Sequence, residues 1–339
     1  MLYNIQRILE ERSRILSLPK VFFVSVIIVF GFIGIFGLMK KSVKSEKNIS
    51  TIENLKIEEV AIQDPQEEEK EEGLLTEQIT DQTEEKVDLV DSLFQIDIDL
   101  PIVKTITYTS RVPWLSGRPA WVADYASHYE TSRHFIARSL NGEVDYHSQN
   151  VSPGDRFNVL KKDIEFYLAL DLSTKKLFFY AYDKKADERY LLKTYLVAVG
   201  KKDPKKASGC YTPLGVYSLG NKVALYKPGV TGYFQDRQIE MIRVFGTRWI
   251  PLGKEISGCS EVGKKTRGLH GAPWIPDASG ELVEDRDSIG KNVSDGSIRL
   301  FQEDIEEIFS IVITKPSFLE VAKDIKEAHL PGKEVEIKR

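Results

Sequence analysis

The 339-residue sequence predicts a mainly β fold with few helices, built as a β-sandwich or a partly closed sheet. One transmembrane helix and a disordered acidic linker are predicted to precede it. Three observations support this prediction. Short apolar stretches with strand-like patterning, punctuated by Gly and Pro, follow one another after residue 150. An uninterrupted apolar run lies near the N-terminus, and a strongly acidic stretch follows that run.

The apolar run covers residues 21–39 and reads VFFVSVIIVFGFIGIFGLM. At about 1.5 Å per helical residue it nearly matches a hydrocarbon core of ~30 Å, and it carries no charge. A cleaved signal peptide would have a shorter apolar core and small residues before the cut, whereas Lys40 and Lys41 follow directly here. We therefore predict an uncleaved anchor after a short segment, residues 1–20. Positive residues are balanced on its two sides, so charge alone leaves its orientation open.

Residues 40–100 are predicted to form the disordered linker. Between residues 50 and 100 the chain has 17 Asp or Glu and three Lys or Arg, although the net charge of the whole chain is only −4. Because this segment has few aromatic residues and no sustained apolar period, it cannot bury enough surface to offset the entropy of ordering. We interpret it as a solvated tether, with an acidic docking tail for a partner as the alternative.

Residues 101–160 are predicted to be an extension packed on the domain that follows. Residues 102–109 alternate apolar with polar side chains, and residues 121–140 have a partly helical pattern. His128, His134 and His147 lie in this region, but their spacing fits no close-set pair of metal ligands. We therefore predict no metal site.

The strand patterns become clear after residue 160. The segments FYLALDL (166–172) and KLFFYAY (176–182) predict a hairpin, and LKTYLVAV (192–199) predicts a further strand. The clearest helix is predicted at 302–312, where Ile305, Ile308 and Phe309 recur at helical spacing and acidic residues occupy the first turn.

Five motifs follow one another in a fixed order, and Asp304 comes after the last of them. They are VAVG (197–200), TPLGVY (212–217), FGTRW (245–249), LHG (269–271) and SIGKNVSDGSIRL (288–300). This series resembles the YkuD-type L,D-transpeptidase catalytic domain, over roughly residues 166–314. We therefore predict an L,D-transpeptidase-like domain at 161–316 and a C-terminal tail at 317–339.

The resemblance implies a transferase that acts in cell-wall biogenesis or remodelling and so contributes to cell shape. Family members attack the bond between the third residue of a peptidoglycan stem peptide and the terminal D-alanine. They pass the acyl group to an amine of another stem or, as carboxypeptidases, to water. The implied partners are peptidoglycan stem peptides, with no cofactor, and the predicted anchor at 21–39 adds the cytoplasmic (inner) membrane. We accordingly expect residues 1–20 in the cytoplasm and a periplasmic or otherwise extracytoplasmic C-terminal domain.

The resemblance also assigns the site residues. His270 corresponds to the base, and Ser297 occupies the position of the nucleophile, where the family has cysteine. The remaining assignments are Gly271 and Gly296 to the oxyanion loop, and Ser294, Asp295 and Arg299 to substrate binding or support of the site.

Serine at position 297 changes the chemistry. A hydroxyl is a weaker nucleophile than a thiolate and needs a well-aligned base during attack. On an extended segment Asp295 and Ser297 project to the same side, so Asp295 could orient His270 in a Ser-His-Asp arrangement, with an ordinary turn aspartate as the alternative.

Two functions stay open: an active acyltransferase that uses Ser297 and His270, and a catalytically silent module that binds peptidoglycan as a tether or scaffold. An artificially introduced Cys-to-Ser change would give the same sequence.

Cys210 and Cys259 are the only cysteines, and they fit either one disulfide in an oxidising compartment or two free thiols. Neither lies in the glycine turn of position 297, so we do not expect either to replace the missing thiol. The segment 274–287, rich in Pro, Asp, Glu and Gly, is predicted to be an inserted lid or loop over the cleft. No basic stripe with interleaved aromatics is present, and this argues against nucleic-acid binding.

Overall fold

The computed structural model describes residues 88–144, 146, 150–258 and 267–337. In these ranges the chain is mainly β, as predicted. The helices are α1 (Val90–Phe94), α2 (Val122–His128), α3 (Arg133–Asn141), α4 (Ile242–Phe245) and α5 (Gln302–Val312). The strands are β1 (Val103–Thr107), β2 (Arg156–Leu160), β3 (Ile164–Asp171), β4 (Lys176–Asp183), β5 (Glu188–Leu196), β6 (Val199–Gly200), β7 (Gly215–Leu219), β8 (Ala224–Leu225), β9 (Thr231–Phe234), β10 (Arg237–Glu240), β11 (Arg248–Gly258), β12 (Gly268–Gly271), β13 (Trp274–Pro276), β14 (Leu282–Glu284), β15 (Asn292–Ser294), β16 (Ile298–Leu300), β17 (Ser317–Ala322) and β18 (Lys333–Glu334).

Ten of these strands form one curled sheet, a half-barrel. Nine of them follow the order β16-β12-β11-β7-β17-β3-β4-β5-β18, and β8 pairs with β11. Of the two arrangements predicted from the sequence, the partly closed sheet therefore describes the fold and the β-sandwich does not.

The predicted hairpin and helix are both present. β3 and β4 pair antiparallel, with Leu168 opposite Phe179, and both side chains are fully buried. α5 spans the predicted residues and buries Ile305 and Ile308 against the sheet. Only Phe301 separates α5 from β16, so the packing of this helix also fixes the end of β16.

The predicted C-terminal tail, 317–339, is wrong in its first part. β17 lies inside the main sheet, parallel to β3 on one side and antiparallel to β7 on the other. Leu319 is fully buried in the core. The folded domain therefore continues past residue 316, because the sheet needs β17 to join its two halves.

The predicted linker, 40–100, also ends too late. Residues 88–100 are folded: α1 buries Val90 and Leu93 completely, and the Leu89 N–H donates to the Leu192 carbonyl at 2.7 Å. Asp88 forms an ion pair with Lys193 of β5 at 3.1 Å. Burying these few apolar side chains against the large adjoining core provides enough free energy to order the segment, although its sequence has no periodic pattern.

Ile102, Phe135 and Leu160 of the segment 101–160 lie in the main core cluster. β1 and β2 pair antiparallel, and α2 and α3 lie in the predicted helical region. Phe135 of α3 is fully buried in the core of the main sheet, and Ser132 Oγ donates to the Ser310 carbonyl of α5. The extension therefore supports α5 directly.

The predicted lid at 274–287 is a β-hairpin, β13–β14, tied to the start of α5. Glu284 Oε1 accepts a hydrogen bond from the Gln302 N–H at 2.5 Å. Arg286 forms ion pairs with both Glu284 and Glu303, each at 2.7 Å. A carboxylate on the first N–H groups of a helix is favourable, so these contacts anchor the hairpin.

In the described part of the chain, no helix is both long enough and apolar enough to cross a membrane. The predicted anchor at 21–39, the N-terminal segment at 1–20, and the linker up to residue 87 lie outside the described residues, as do His147 and Cys259.

Candidate active site

Three neighbouring strands carry the candidate site. β12 pairs antiparallel with β11 and parallel with β16, which places Trp249, His270 and Arg299 side by side in one row. The next row, Ile250, Leu269 and Ile298, belongs to the buried apolar core. Because side chains alternate along a strand, these rows lie on opposite faces. We call the face with Trp249, His270 and Arg299 the site face, and the face with Ile250, Leu269 and Ile298 the core face.

Ser297 immediately precedes Ile298, the first residue of β16. Alternation from Ile298 on the core face directs Ser297 to the site face, as it does Arg299. Ser297 is half-buried, so its side chain retains some contact with solvent. Ser297 therefore stands at the start of β16, and β16 runs parallel to the strand that carries His270.

His270 is held as a neutral imidazole. Its side chain is 4% exposed, and Nδ1 lies 2.8 Å from the Gly271 carbonyl oxygen, which can only accept. Nδ1 therefore carries the proton, and Nε2 keeps its lone pair. Burial, reinforced by the positive charge of Arg299 and opposed by the Gly271 hydrogen bond, lowers the pKa of His270 to about 3.

The nucleophile turn is closed by Ser294. Ser294 Oγ donates to the Ser297 carbonyl at 2.5 Å and accepts from the Gly296 N–H at 3.1 Å. Gly296 has a φ of 116°, and a Cβ there would lie 2.7 Å from the Tyr211 carbonyl oxygen, so no other residue fits. Since Ser294 takes the Gly296 N–H, Gly296 shapes the turn and does not offer that donor to an oxyanion in this arrangement.

Asp295 is not brought to His270. Its carboxylate is exposed and pairs with Lys201 at 3.1 Å, while the His270 nitrogen that an orienting acid would need already bonds to Gly271. The hydrogen bonds of the described residues therefore do not form the Ser-His-Asp arrangement that the sequence allowed.

The loop at 200–212 supports the turn from the other side. The Lys201 N–H donates to the Ser294 carbonyl at 2.8 Å, and Asn292 Nδ2 donates to the Gly200 carbonyl at 2.9 Å. Cys210 is a buried free thiol in this loop, with Sγ 3.6 Å from the Thr212 carbonyl oxygen. Cys210 is thus part of the support of the turn, outside the turn itself.

The sequence analysis did not predict that aromatic rings surround the His270 imidazole. Phe245 of α4 meets the His270 ring edge-on at 5.4 Å between centroids, and Trp249 lies at 5.8 Å. Phe234 of β9 contacts Phe245 in turn at 5.5 Å. The FGTRW motif was the available signal for two of these rings, but the pattern alone did not say that they enclose an imidazole.

Among the residues that the structure describes, no group of three or more His, Cys, Asp or Glu could hold a metal ion. His128 stacks on Trp114 with 4.3 Å between ring centroids, and His134 packs edge-on against Phe309 at 5.4 Å. These two histidines are therefore packing residues.

Comparison with known proteins gives one match to a family model, YkuD, the L,D-transpeptidase catalytic domain, over residues 165–337. No curated protein matches the chain in sequence.

Several solved structures are weakly similar. The helical cell shape determining protein Pgp2 from Campylobacter jejuni is 17% identical, with a TM-score of 0.31 and 51% of each chain covered. Bd1075 of Bdellovibrio bacteriovorus is 13% identical, with a TM-score of 0.32, covering 47% of this chain and 48% of that one. L,D-transpeptidase 1 of Mycobacterium tuberculosis is 16% identical, with a TM-score of 0.23, covering 49% and 70%. The chain spans about half the length of the first two.

Proposed function

Because this chain belongs to the YkuD family of L,D-transpeptidase catalytic domains, we propose that it transfers acyl groups between peptidoglycan stem peptides, with Ser297 as the nucleophile and His270 as the base. The observation that supports this proposal is the parallel pairing of β12 with β16, because Ser297 directly precedes β16 and β12 carries a neutral, Nδ1-protonated His270.

The chemistry follows from this arrangement. Ser297 Oγ attacks the carbonyl carbon of the stem's third residue, and its proton passes to His270 Nε2. The tetrahedral oxyanion then collapses, and His270 returns the proton to the departing D-alanine nitrogen. An ester to Ser297 remains, and an amine of a second stem, or water, attacks it with His270 again accepting the proton. The first acceptor gives a cross-link and the second gives carboxypeptidase activity.

The electrostatics support a hydroxyl nucleophile in two ways. An imidazole with a pKa of about 3 is unprotonated at neutral pH, so the base is ready to accept a proton. The developing oxyanion places negative charge beside His270 and Arg299, which stabilises both the imidazolium and the transition state. Such a base is intrinsically weak, so we expect slow turnover compared with a cysteine nucleophile.

We further propose that residues 21–39 anchor the chain in the cytoplasmic membrane, with residues 1–20 inside and the domain outside. The uncharged apolar run supports the anchor, and the family's action on peptidoglycan supports the orientation. The acidic residues before Asp88 would then act as a tether that lets the domain reach the wall. Protease added to intact spheroplasts should remove the folded domain; full protection of it would contradict this topology.

A catalytically silent module that binds stem peptides is the second candidate. Two observations favour it: serine replaces the family's cysteine, and His270 is oriented by a neutral carbonyl, with Asp295 engaged by Lys201. A buried carboxylate partner would stabilise the imidazolium that serine attack generates, and this site has none in hydrogen-bond contact with His270 among the described residues.

Mass spectrometry of purified stem peptides after incubation with the full-length chain separates the two candidates. The enzyme predicts loss of the terminal D-alanine, with or without a new cross-link, and no product from Ser297→Ala. Turnover by a Ser297→Cys variant together with none by the natural chain would establish the silent module.

A further inference from the structure

Residues 101–160 form a small module that the proposed chemistry does not use. β1 and β2 pair into a two-stranded sheet, and α2 and α3 follow one another between them in the chain. The module lies before the YkuD domain, which begins at residue 165. Besides the side chains that join the main core, it has an apolar cluster of its own, built around Tyr125, Ile136 and Phe157. A segment with its own core outside the catalytic domain is typical of a separate functional module.

The surface of this module exposes a tryptophan. Trp121 stands at the start of α2, and 66% of its surface is accessible to solvent. Leaving a side chain of this size in water forgoes a large gain from burial, and tryptophan is among the residue types most enriched at binding hot spots. The exposed indole is therefore a candidate contact for a ligand.

Hydrogen bonds hold the backbone of Trp121 in place. The Asp124 carboxylate accepts from the Trp121 N–H at 2.8 Å and from both terminal nitrogens of Arg118, at 2.7 and 2.6 Å. The Ala120 carbonyl accepts from the Tyr108 hydroxyl at 2.7 Å. Because the backbone that carries the indole is already fixed, a ligand that stacks on the ring loses little affinity to ordering it.

A second tryptophan lies over the same side of α2. Trp121, Tyr125 and His128 are spaced four and three residues apart, which places them on one side of the helix. The half-buried Trp114 ring meets Tyr125 edge-on at 5.2 Å and stacks on the exposed His128, with 4.3 Å between centroids and 6° between planes. The seven residues from Trp121 to His128 span about 10 Å of helix, enough for more than one sugar ring. We call this side of α2, with Trp114 and Trp121, the aromatic side.

The charge and chemistry of the aromatic side favour a neutral ligand with flat apolar faces and polar edges. Arg118 is neutralised by Asp124, and residues 101–160 contain six Lys or Arg against five Asp or Glu. An anionic bilayer would select an excess of Lys and Arg, which this segment lacks. Exposed hydroxyl side chains are present in the same segment, at Thr109, Ser116 and Ser127. A pyranose ring fits such a surface, because its C–H face packs on an aromatic ring while its hydroxyl and amide groups form hydrogen bonds at the edge.

We propose that the aromatic side of α2 binds the glycan strand of peptidoglycan, an uncharged chain of N-acetylated sugars, through stacking on Trp121 and Trp114. The choice of this polymer rests on the proposed function, which brings the chain to peptidoglycan. The module packs on α5 through Ser132 and Ser310, and α5 packs on the core face, so a bound strand leaves the Ser297 site open. Holding the polymer at a second place raises the effective concentration of stem peptides at that site.

Soluble oligomers of N-acetylglucosamine test the proposal, since they carry no stem peptide and do not depend on the catalytic site. Their affinity for the full-length chain in detergent is measured by calorimetry. We expect binding by the natural chain, and a loss of about tenfold or more in Trp121→Ala, the usual effect of removing one stacking ring. Trp121→Phe keeps an aromatic ring and should recover part of the affinity.

Two control variants accompany this measurement. Tyr233→Ala removes another exposed aromatic ring, 78% accessible on β9, and should bind the oligomer as the natural chain does. Ser297→Ala should also bind it unchanged, because the glycan site is separate from the catalytic site. Circular dichroism confirms that each variant is folded.

Cello-oligosaccharides of the same length test the recognition of the N-acetyl group. They have the same ring faces but no acetamido group, and they should bind at least severalfold more weakly because the hydrogen bonds to the amide are lost. Equal affinity for the two oligomers would overturn the assignment to N-acetylated sugars.

The outcomes also separate this proposal from the proposed function. A natural chain that does not bind the oligomers, or a Trp121→Ala chain that binds them as well as the natural chain, overturns the glycan site even if stem peptides are turned over. Binding that depends on Trp121 in a chain without turnover supports the glycan site and contradicts only the proposed catalysis.

Discussion

The core face and the site face belong to the same three strands, β11, β12 and β16, but they bury different kinds of side chain. The core face buries apolar residues, and the site face buries polar ones. On the core face, Ile250, Leu269 and Ile298 are at most 1% exposed and pack into one apolar cluster. On the site face, β12 buries the imidazole of His270 and β16 partly buries the guanidinium of Arg299, whose Nε has no hydrogen-bond partner among the described residues. The apolar side chains of the core face stabilise the fold. The polar groups buried on the site face cost folding free energy, and the proposed chemistry needs them.

Replacing the base should have the largest effect. His270→Gln keeps a polar side chain of similar size but removes the proton acceptor. We expect turnover of stem peptides to fall about 10²- to 10⁴-fold, the usual contribution of a general base. Initial rates measured by mass spectrometry check this, and a loss of less than tenfold would remove His270 from the mechanism.

A substitution on the core face should instead affect folding. Leu269 is fully buried one residue before His270. Leu269→Ala should lower the free energy of unfolding by about 2–5 kcal/mol, through lost apolar burial and the cavity left behind. Urea unfolding followed by circular dichroism measures it. If His270→Gln at pH 7 lowers the free energy of unfolding as much as Leu269→Ala does, His270 contributes as much to stability as a core residue, and the distinction between the two faces is wrong.

The buried imidazole should also make stability depend on pH. The pKa of His270 is about 3 in the folded chain, against 6.5 for an unperturbed histidine, so the unfolded chain binds more protons between these values. This contribution is complete above pH 6.5 and is lost as the pH falls towards 3. At pH 4 the loss is about 3 kcal/mol relative to pH 7. Relative to His270→Gln, the natural chain should lose about 3 kcal/mol of unfolding free energy between pH 7 and pH 4, and parallel pH dependences of the two proteins would contradict the assignment.

The smallest effect is expected at Asp295. Because its pair with Lys201 is exposed, with side chains 66% and 57% accessible, Asp295→Asn should leave stability nearly unchanged. Turnover should also stay within about threefold, since Asp295 does not orient the base. A drop of ~10⁴-fold, as expected on losing the acid of a Ser-His-Asp triad, would restore that triad.

The sequence predicted local elements well. The β3–β4 hairpin and α5 have clear periodic patterns over eight or more residues, and both form where expected. β17 was assigned to a tail because a single six-residue strand has too short a pattern to be recognised alone. It is ordered by pairing with β3, about 150 residues earlier in the chain. α1 escaped detection for a related reason: five residues are too few to show a period, and its order comes from the core beneath it.

The sequence predicted candidate residues for the site but not their contacts. The motif order predicts His270 and Ser297, and the parallel pairing of β12 with β16 brings the strands that carry or follow them next to one another. The partner of Asp295 could not be foreseen, because Lys201 is 94 residues away in sequence. The Thr247 hydroxyl has no hydrogen-bond partner among the described residues, and this too is a property of packing that no sequence pattern records.

The most direct test of a working Ser297–His270 pair is covalent labelling by a fluorophosphonate, read by intact mass and peptide mapping. We predict one adduct on Ser297 in the natural chain, no adduct in Ser297→Ala, and labelling at least a hundredfold slower in His270→Gln. An unlabelled natural chain, or equal labelling rates with and without His270, would contradict the account.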